Sequence, residues 1–144
     1  MIHDGHVEEA FESQSVIITL EDEIDISRGD MIVKENKMPE KGQDIEMMAC
    51  WLSETPMVMN GKYTVKHSSI DARCIIKELP FKININTLEK NHEDKTLGLN
   101  EIGKLKIRTT RPLFYDSYRR NRITGSLILV DESTNNTVCA GMIV

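Results

Sequence analysis

This sequence lacks the patterns that helical and membrane-spanning proteins need. No segment repeats apolar residues at i, i+3, i+4 and i+7 over about 11 residues, and no apolar run approaches the roughly 18 residues of a spanning helix. Aromatic residues make up only 5% of the chain. The apolar residues instead alternate along short runs between turn-forming residues, which predicts an all-β, mostly antiparallel barrel or sandwich.

Metal-ligand and leader patterns are also missing. The three cysteines, Cys50, Cys74 and Cys139, are far apart and form no CxxC pair, which argues against a zinc site or a redox pair. His3 and His6 have no further ligands at fixed spacing, so we expect no metal there. The N-terminal residues show neither the basic stretch nor the apolar core of a signal peptide, which favours the cytosol.

Known catalytic and nucleotide-binding motifs are absent as well. The sequence contains no phosphate-binding loop, no dinucleotide fingerprint, no zinc-protease helix and no nucleophile elbow. His67 follows a predicted strand and would suit a general base, but a partly exposed polar tip is the favoured interpretation. The sequence therefore indicates a binding or accessory module without an active site of its own.

Positive charge is concentrated in one region of an acidic chain. The net charge is −5, yet seven of the 18 Lys and Arg residues lie between Lys104 and Arg122, against one of the 23 acids. Two interpretations remain open: a solvated strand edge, or a docking face for an acidic partner or an anion. The candidate docking residues are Lys104, Lys106, Arg108, Arg111, Tyr115, Tyr118, Arg119, Arg120 and Arg122. The acidic balance of the whole chain argues against a general nucleic-acid binder.

Alternation and turn signals predict eight or nine strands. We expect them near residues 15–20, 31–33, 44–52, 63–67, 72–76, 81–85, 102–110, 123–130 and 137–144. Asn60-Gly61 predicts a turn, Pro80 an edge or bend, and Pro112 the end of a strand. The last two runs form a hairpin, with Gly125 and Gly141 at a bend, a bulge or a close approach. The polar stretch 34–43 is the best linker.

Three stretches extend the interpretation by resemblance. They are SVIITLEDEIDISRGDMIV (15–33), ININTLEKN (83–91) and KTLGLNEIGKLKIRTTRPLFYDSYRRNRITGSLILVDESTNNTVCAGMIV (95–144). Together they resemble the GTPase subunit, subunit 1, of heterodimeric bacterial sulfate adenylyltransferase, within the elongation factor Tu-like superfamily. The resemblance implies a six-stranded antiparallel β-barrel over 43–144, a linker at 38–42, and the last strands of a second barrel domain over 1–37.

The resemblance also implies a role. In that family, ATP and sulfate give adenylyl sulfate and pyrophosphate on a small catalytic subunit, and GTP hydrolysis drives the reaction. GTP and Mg would bind the GTPase domain, which is absent here, so we assign no catalytic, cofactor-binding or metal-binding residue to this chain. The parent subunit is an enzyme, whereas this chain alone is not expected to be one.

The implied partners are proteins and not a membrane. They are the small subunit and the parent's own GTPase domain. An incomplete barrel piece is marginal on its own, so residues 1–37 are expected to add strands to the main barrel or to drive self-association. The alternative function is an RNA-binding barrel module of a translation-factor-like protein, which the same basic stretch motivates.

Overall fold

The computed structural model describes residues 9–144, and its regular elements are all strands. The seven strands of this range are β1 (Glu40–Trp51), β2 (Lys62–His67), β3 (Ile70–Ile83), β4 (Lys90–Asn91), β5 (Ile102–Tyr115), β6 (Ser126–Asp131) and β7 (Thr137–Ile143). Within residues 9–144, no helix is long and apolar enough to cross a membrane. His3 and His6 lie outside the described residues.

Six of the strands close into a barrel. Neighbours follow the order β2-β6-β7-β1-β5-β3, and β3 pairs back to β2. Every pairing is antiparallel, and the two-residue β4 only extends β3 at one end. The predicted six-stranded antiparallel barrel is confirmed. Because the barrel is closed, these strands do not expose unpaired edges that could pair with another chain.

Strict alternation builds the core of the barrel. Along β1, Ile45, Met47, Ala49 and Trp51 point inward, and each is at most 1% exposed. Because successive side chains point to opposite faces of a strand, the intervening residues face outward. The Trp51 ring meets Tyr63 edge-on at 5.7 Å between centroids, and its Nε1 donates to the Thr55 carbonyl at 2.8 Å. The buried indole N–H therefore has a hydrogen-bond partner.

Two prolines disturb strands without ending them. Pro80 lies inside β3, where the pairing with β5 shifts register twice between Ile76 and Phe81. The irregularity at Pro80 was predicted, but not that the strand continues through it. The prediction that Pro112 ends its strand is wrong, because β5 continues to Tyr115. The pairing of β3 with β5 stops at Thr109. The missing N–H of Pro112 therefore costs no ladder hydrogen bond on that side.

The predicted strands at 15–20 and 31–33 are wrong. Residues 9–39 contain no strand, and most of their apolar side chains are exposed, Ile17 at 89%. β-branched residues favour a strand only where a neighbouring strand offers a ladder and a surface to pack on, and no described strand lies beside them. The segment therefore adds no strand to the main barrel. β1 begins at Glu40, inside the range predicted as linker.

The segment nonetheless contacts one end of the barrel. The Arg28 Nε donates to the Ser69 carbonyl at 3.0 Å, in the turn between β2 and β3. Gly29 has the positive φ expected of it, +108°, and a Cβ added there would lie 2.9 Å from the Ile70 Cγ1. A glycine is therefore needed both for the turn and for the close approach.

Candidate interaction surface

The basic residues of β5 lie in a row on the outer face of the barrel, opposite acids of β1. Pairing places Glu46 opposite Lys106 and Asp44 opposite Arg108. The Arg108 Nη1 lies 2.9 Å from the Asp44 Oδ2, and the Lys104 Nζ lies 2.6 Å from the Glu46 Oε2. Cross-strand pairs of opposite charge stabilise a sheet locally.

Lys106 lies between two carboxylates of this row. Its Nζ is 3.3 Å from Glu46 and 3.2 Å from Glu78. Hydrogen bonds from Lys104 and Lys106 lower the pKa of Glu46, and Glu78 and then Glu46 raise the pKa of Lys106. The positive charge of the row is therefore largely neutralised within the barrel. For Lys104, Lys106 and Arg108 this favours a solvated, ion-paired face over a docking face.

Arg111 and Tyr115 are engaged at one end of the barrel. The Arg111 Nη2 donates to the Asp71 carbonyl. The Tyr115 ring lies over the backbone of Gly42, where an added Cβ would be 3.2 Å from the phenol oxygen. Burial, followed by nearby Glu40, raises the pKa of Tyr115. Arg111 therefore ties β5 to the start of β3, and Tyr115 packs the end of β5 against the start of β1.

The remaining candidates lie on the loop from Asp116 to Gly125, which we call the arginine loop. Arg119 and Arg122 are exposed, and the Arg122 guanidinium lies 5.9 Å from the centre of the Tyr118 ring. Arg120 is exposed too, at 50% of its side chain, but it pairs with Asp116 at 3.3 Å and donates to the Met38 carbonyl. Within residues 9–144, neither Arg119 nor Arg122 has an ion-pair partner.

Backbone contacts hold the arginine loop in shape. The Tyr118 amide donates to the Ile143 carbonyl at 2.9 Å, and the Gly125 amide donates to the Asn121 carbonyl at 2.8 Å. A Cβ added at Gly125 would lie 2.5 Å from the Tyr118 backbone. The expected close approach at Gly125 is therefore present, and it packs the loop onto its own base.

A buried polar cluster lies beneath the loop, and sequence reasoning missed it. His67 was expected to be partly exposed, but it is 2% exposed, and its Nε2 lies 2.7 Å from the Thr124 carbonyl. The Thr124 Oγ1 donates to the Oδ2 of Asp116, itself 8% exposed, at 2.7 Å. The alternation of β2 was the available signal, since Tyr63 and Val65 also point inward.

A second polar cluster lies in an open groove beside β4. The Lys82 Nζ is 2.5 Å from Asp94 and 2.8 Å from Glu101, and these two carboxylates, Asp94 first, raise the pKa of Lys82. The Gly98 amide donates to Glu101 and, with Lys82, lowers its pKa. The charged centre of the groove is therefore paired internally. No group of three or more metal-ligating side chains occurs within residues 9–144.

Solved structures establish the class of fold. A crystal structure of Sup35 complexed with GDP matches with a TM-score of 0.67, covering 76% of this chain and 27% of that one, at 13% identity. Sup35 complexed with GMPPNP matches with a TM-score of 0.68 over 77% of this chain. At this identity the likeness concerns the fold alone.

The sequence comparisons establish the family. The family model described as GTP-eEF1A C-terminal domain-like matches residues 44–144, and this chain belongs to that family. The chain is also 45% identical over 141 residues to the bifunctional enzyme CysN/CysC of Rhodopirellula baltica, and 41% identical over 141 residues to sulfate adenylyltransferase subunit 1 of Bacteroides fragilis. Each alignment covers 98% of this chain, so the resemblance to sulfate adenylyltransferase subunit 1 is confirmed.

The aligned part is a minor share of those relatives. The chain spans 22% of the Rhodopirellula enzyme and 29% of the Bacteroides subunit. A third relative, sulfate adenylyltransferase subunit 1 of Alteromonas mediterranea, is 43% identical over 141 residues, which are 98% of this chain and 30% of the relative. The activity of the whole protein therefore enters only as a proposal.

Proposed function

We propose that this chain is the C-terminal barrel region of a sulfate adenylyltransferase subunit 1 and has a non-catalytic, supporting role. The observation that carries the proposal is the identity of 45% and 41% with such proteins along 98% of the chain. The parent would act in the cytoplasm, joining ATP and sulfate to give adenylyl sulfate and pyrophosphate on its small subunit. GTP and Mg would belong to the parent's GTPase domain, on which the barrel packs.

The arginine loop is the proposed contact with the small subunit. Arg119 and Arg122 are exposed cations, and Tyr118 adds an aromatic surface beneath Arg122. Arginine and tyrosine are enriched at protein interfaces because they combine contact area with directional hydrogen bonds. We therefore expect acidic side chains on the partner surface. The ion-paired row of Lys104, Lys106 and Arg108 lies outside this proposed contact.

Charge reversal in the parent subunit tests the contact. Changing Arg119→Glu and Arg122→Glu together should weaken assembly with the small subunit by about tenfold or more, because attraction to the acidic partner becomes repulsion. Lys62→Glu with Lys77→Glu is the matched control, because both lysines are exposed strand residues outside the loop. Titration by calorimetry measures the affinities. If the arginine variant assembles as the unmodified subunit does, the contact is disproved.

The domain division is part of the proposal. Residues 1–37 would be the C-terminal part of a second barrel, which forms strands only beside the rest of that barrel in the parent, 38–42 a linker, and 43–144 the family barrel. Exposed apolar side chains such as Ile17, Ile18 and Ile24 support it, since contiguous exposed apolar surface marks an interaction site. In the parent, the rest of the second barrel would cover them.

In the isolated chain, that apolar surface would drive self-association. Sedimentation velocity should therefore show oligomers for the 144-residue chain and a monomer for a chain that begins at Met38. Monomers in both samples would contradict this part of the proposal.

RNA binding is the alternative function. The basic stretch that motivated it carries less free positive charge than the sequence indicated. Pairing with Asp44, Glu46 and Glu78 neutralises the β5 row, and phosphate binding needs unpaired cations. Filter binding to a structured RNA at low salt tests it. Salt-dependent binding near micromolar would restore the alternative, and its absence would remove it.

A further inference from the structure

The arginine loop is tied to the barrel interior through His67. The His67 Nε2 lies 2.7 Å from the Thr124 carbonyl, which also accepts the Asp116 amide at 3.3 Å. A carbonyl oxygen only accepts hydrogen bonds, so Nε2 is the nitrogen that bears the proton. The Thr124 carbonyl thus accepts both from the core histidine and from the amide at the start of the loop.

The position of His67 would suit an apolar residue. It ends the inward face of β2 and is 2% exposed, and its Nδ1 is buried without a hydrogen-bond partner. A buried polar atom without a partner costs free energy. The contact with Thr124 is therefore the interaction that this histidine supplies and an apolar side chain would not.

The part of the loop that carries Arg120 is linked to Thr124 as well. The Thr124 Oγ1 donates to the Asp116 Oδ2, while the Asp116 Oδ1 lies 3.3 Å from Arg120. That second contact is electrostatic, since Oδ1 lacks a well-aligned hydrogen bond. Arg120 Nη1 in turn donates to the Met38 carbonyl at 3.3 Å. This series of contacts keeps Arg120 paired, between Arg119 and Arg122.

We propose that His67 is a positioning residue for the arginine loop. By donating to the Thr124 carbonyl, it fixes the loop so that Arg120 stays paired with Asp116 while Arg119 and Arg122 remain available to an acidic partner protein. The consequence for docking rests on the function proposed above. The positioning itself is a property of this chain and is measurable without a partner.

Amide hydrogen exchange of the 144-residue chain tests the positioning. His67→Leu fills the space without a donor, and we expect exchange of the Asp116, Tyr118 and Gly125 amides to accelerate by about tenfold or more, as for a local opening. His67→Gln keeps an N–H donor of similar reach and should restore exchange to within about threefold of the unmodified chain. Amides in the centre of β5 should be unchanged in both variants.

A second buried polar side chain provides the control. The Thr109 Oγ1 donates to the Arg111 carbonyl at 2.7 Å, with the Gln43 carbonyl at 3.2 Å, and both partners lie outside the loop. Thr109→Val should therefore lower global stability without selectively accelerating the loop amides. If His67→Leu leaves loop exchange unchanged, or His67→Gln exchanges as fast as His67→Leu, the proposal is overturned. Should His67→Leu fail to fold, His67→Asn replaces it, because its shorter amide does not reach Thr124.

Assembly with the small subunit separates the two proposals. If both are right, His67→Leu in the parent subunit weakens assembly and His67→Gln restores it. A second outcome is that loop exchange rises in His67→Leu while neither this variant nor the reversal of Arg119 and Arg122 changes the affinity for the small subunit. In that case the docking proposal fails and the positioning proposal stands. If the reversal weakens assembly while His67→Leu leaves loop exchange unchanged, positioning fails and docking stands.

Discussion

Gly141 of β7 faces the side chain of Met47 of β1 inside the barrel. A Cβ added at Gly141 would overlap the Met47 Sδ and lie 3.2 Å from the Leu127 Cδ1. Overpacking a well-filled core costs about 1–3 kcal/mol, so Gly141→Ala should lower the free energy of unfolding by about that amount. Urea denaturation measures it.

A compensating change identifies the cause. Met47→Val shortens the side chain that Gly141→Ala would overlap, so the double variant should be more stable than the sum of the single changes predicts. Strict additivity, or a Gly141→Ala variant as stable as the unmodified chain, would contradict the steric explanation.

The charge on Glu101 should give stability that depends on pH. The Gly98 amide, at 2.7 Å, and Lys82 lower the pKa of this carboxyl from its ordinary 4.5. A carboxyl whose pKa is lowered by folding stabilises the protein above its unfolded pKa, and that stability is lost as the pH falls through the folded pKa. Glu101→Gln should therefore cost about 1 kcal/mol at neutral pH, a modest amount because the side chain is 39% exposed and solvent screens it.

That difference should disappear in acid. As the pH falls below the ordinary 4.5 and through the folded pKa, the free energies of unfolding of the unmodified chain and Glu101→Gln should converge, because the carboxyl becomes protonated in both states. Denaturant titrations across this range measure both. A difference that stays constant with pH would show that the amide acts through packing and not through charge.

Leu88 adopts a backbone conformation that suits glycine or asparagine. Its φ is +60°, its amide donates to the Asn84 carbonyl at 2.7 Å, and its side chain is 76% exposed. The left-handed conformation costs an L-residue about 1–2 kcal/mol. Leu88→Asn should therefore raise the free energy of unfolding by about 1 kcal/mol, because little burial is lost. Ile85→Asn in the same hairpin is the control and should give no gain.

The three cysteines should differ in reactivity. Burial raises the pKa of Cys74 and of Cys139 to about 12, and the thiolate is the reactive form. Cys50 is only half-buried. Alkylation of the native chain followed by mass spectrometry should therefore modify Cys50 first, and the other two only in denaturant. Cys50→Ser should abolish the early product, and rapid modification of Cys74 in the native chain would contradict the prediction.

Local sequence patterns predicted which barrel residues point inward better than they predicted where each strand begins and ends. Alternation identified the inward residues of β1, and Gly141 was recognised as a place for a bulge or a close approach. Pro112 was misjudged because a proline is tolerated or rejected according to the strand beside it, and that neighbour comes from a distant part of the chain. Ile17 was misjudged for the same reason, since its β-propensity requires a strand to pair with.

The candidate site was harder to predict than the fold. The stretch rich in Lys and Arg was visible, but the neutralisation of Lys106 by Glu46 and Glu78 depends on strand register. The pairing of Arg120 depends on the position of the buried Asp116. These contacts join residues from separate strands and loops, so composition alone could not distinguish the paired cations from the exposed Arg119 and Arg122.

The first and last strands of the barrel are direct neighbours. Met47 pairs with Ile143, and the Val144 amide donates to the Glu46 carbonyl at 3.0 Å. Glu40 lies six residues before Glu46 along β1. At about 3.3 Å per residue, it is therefore roughly 20 Å from the end of β7. A short tether of that reach would join Val144 to Glu40 and leave the strand order intact. New ends opened in the Asp131–Asn136 turn would then give a circularly permuted barrel with the same ladder.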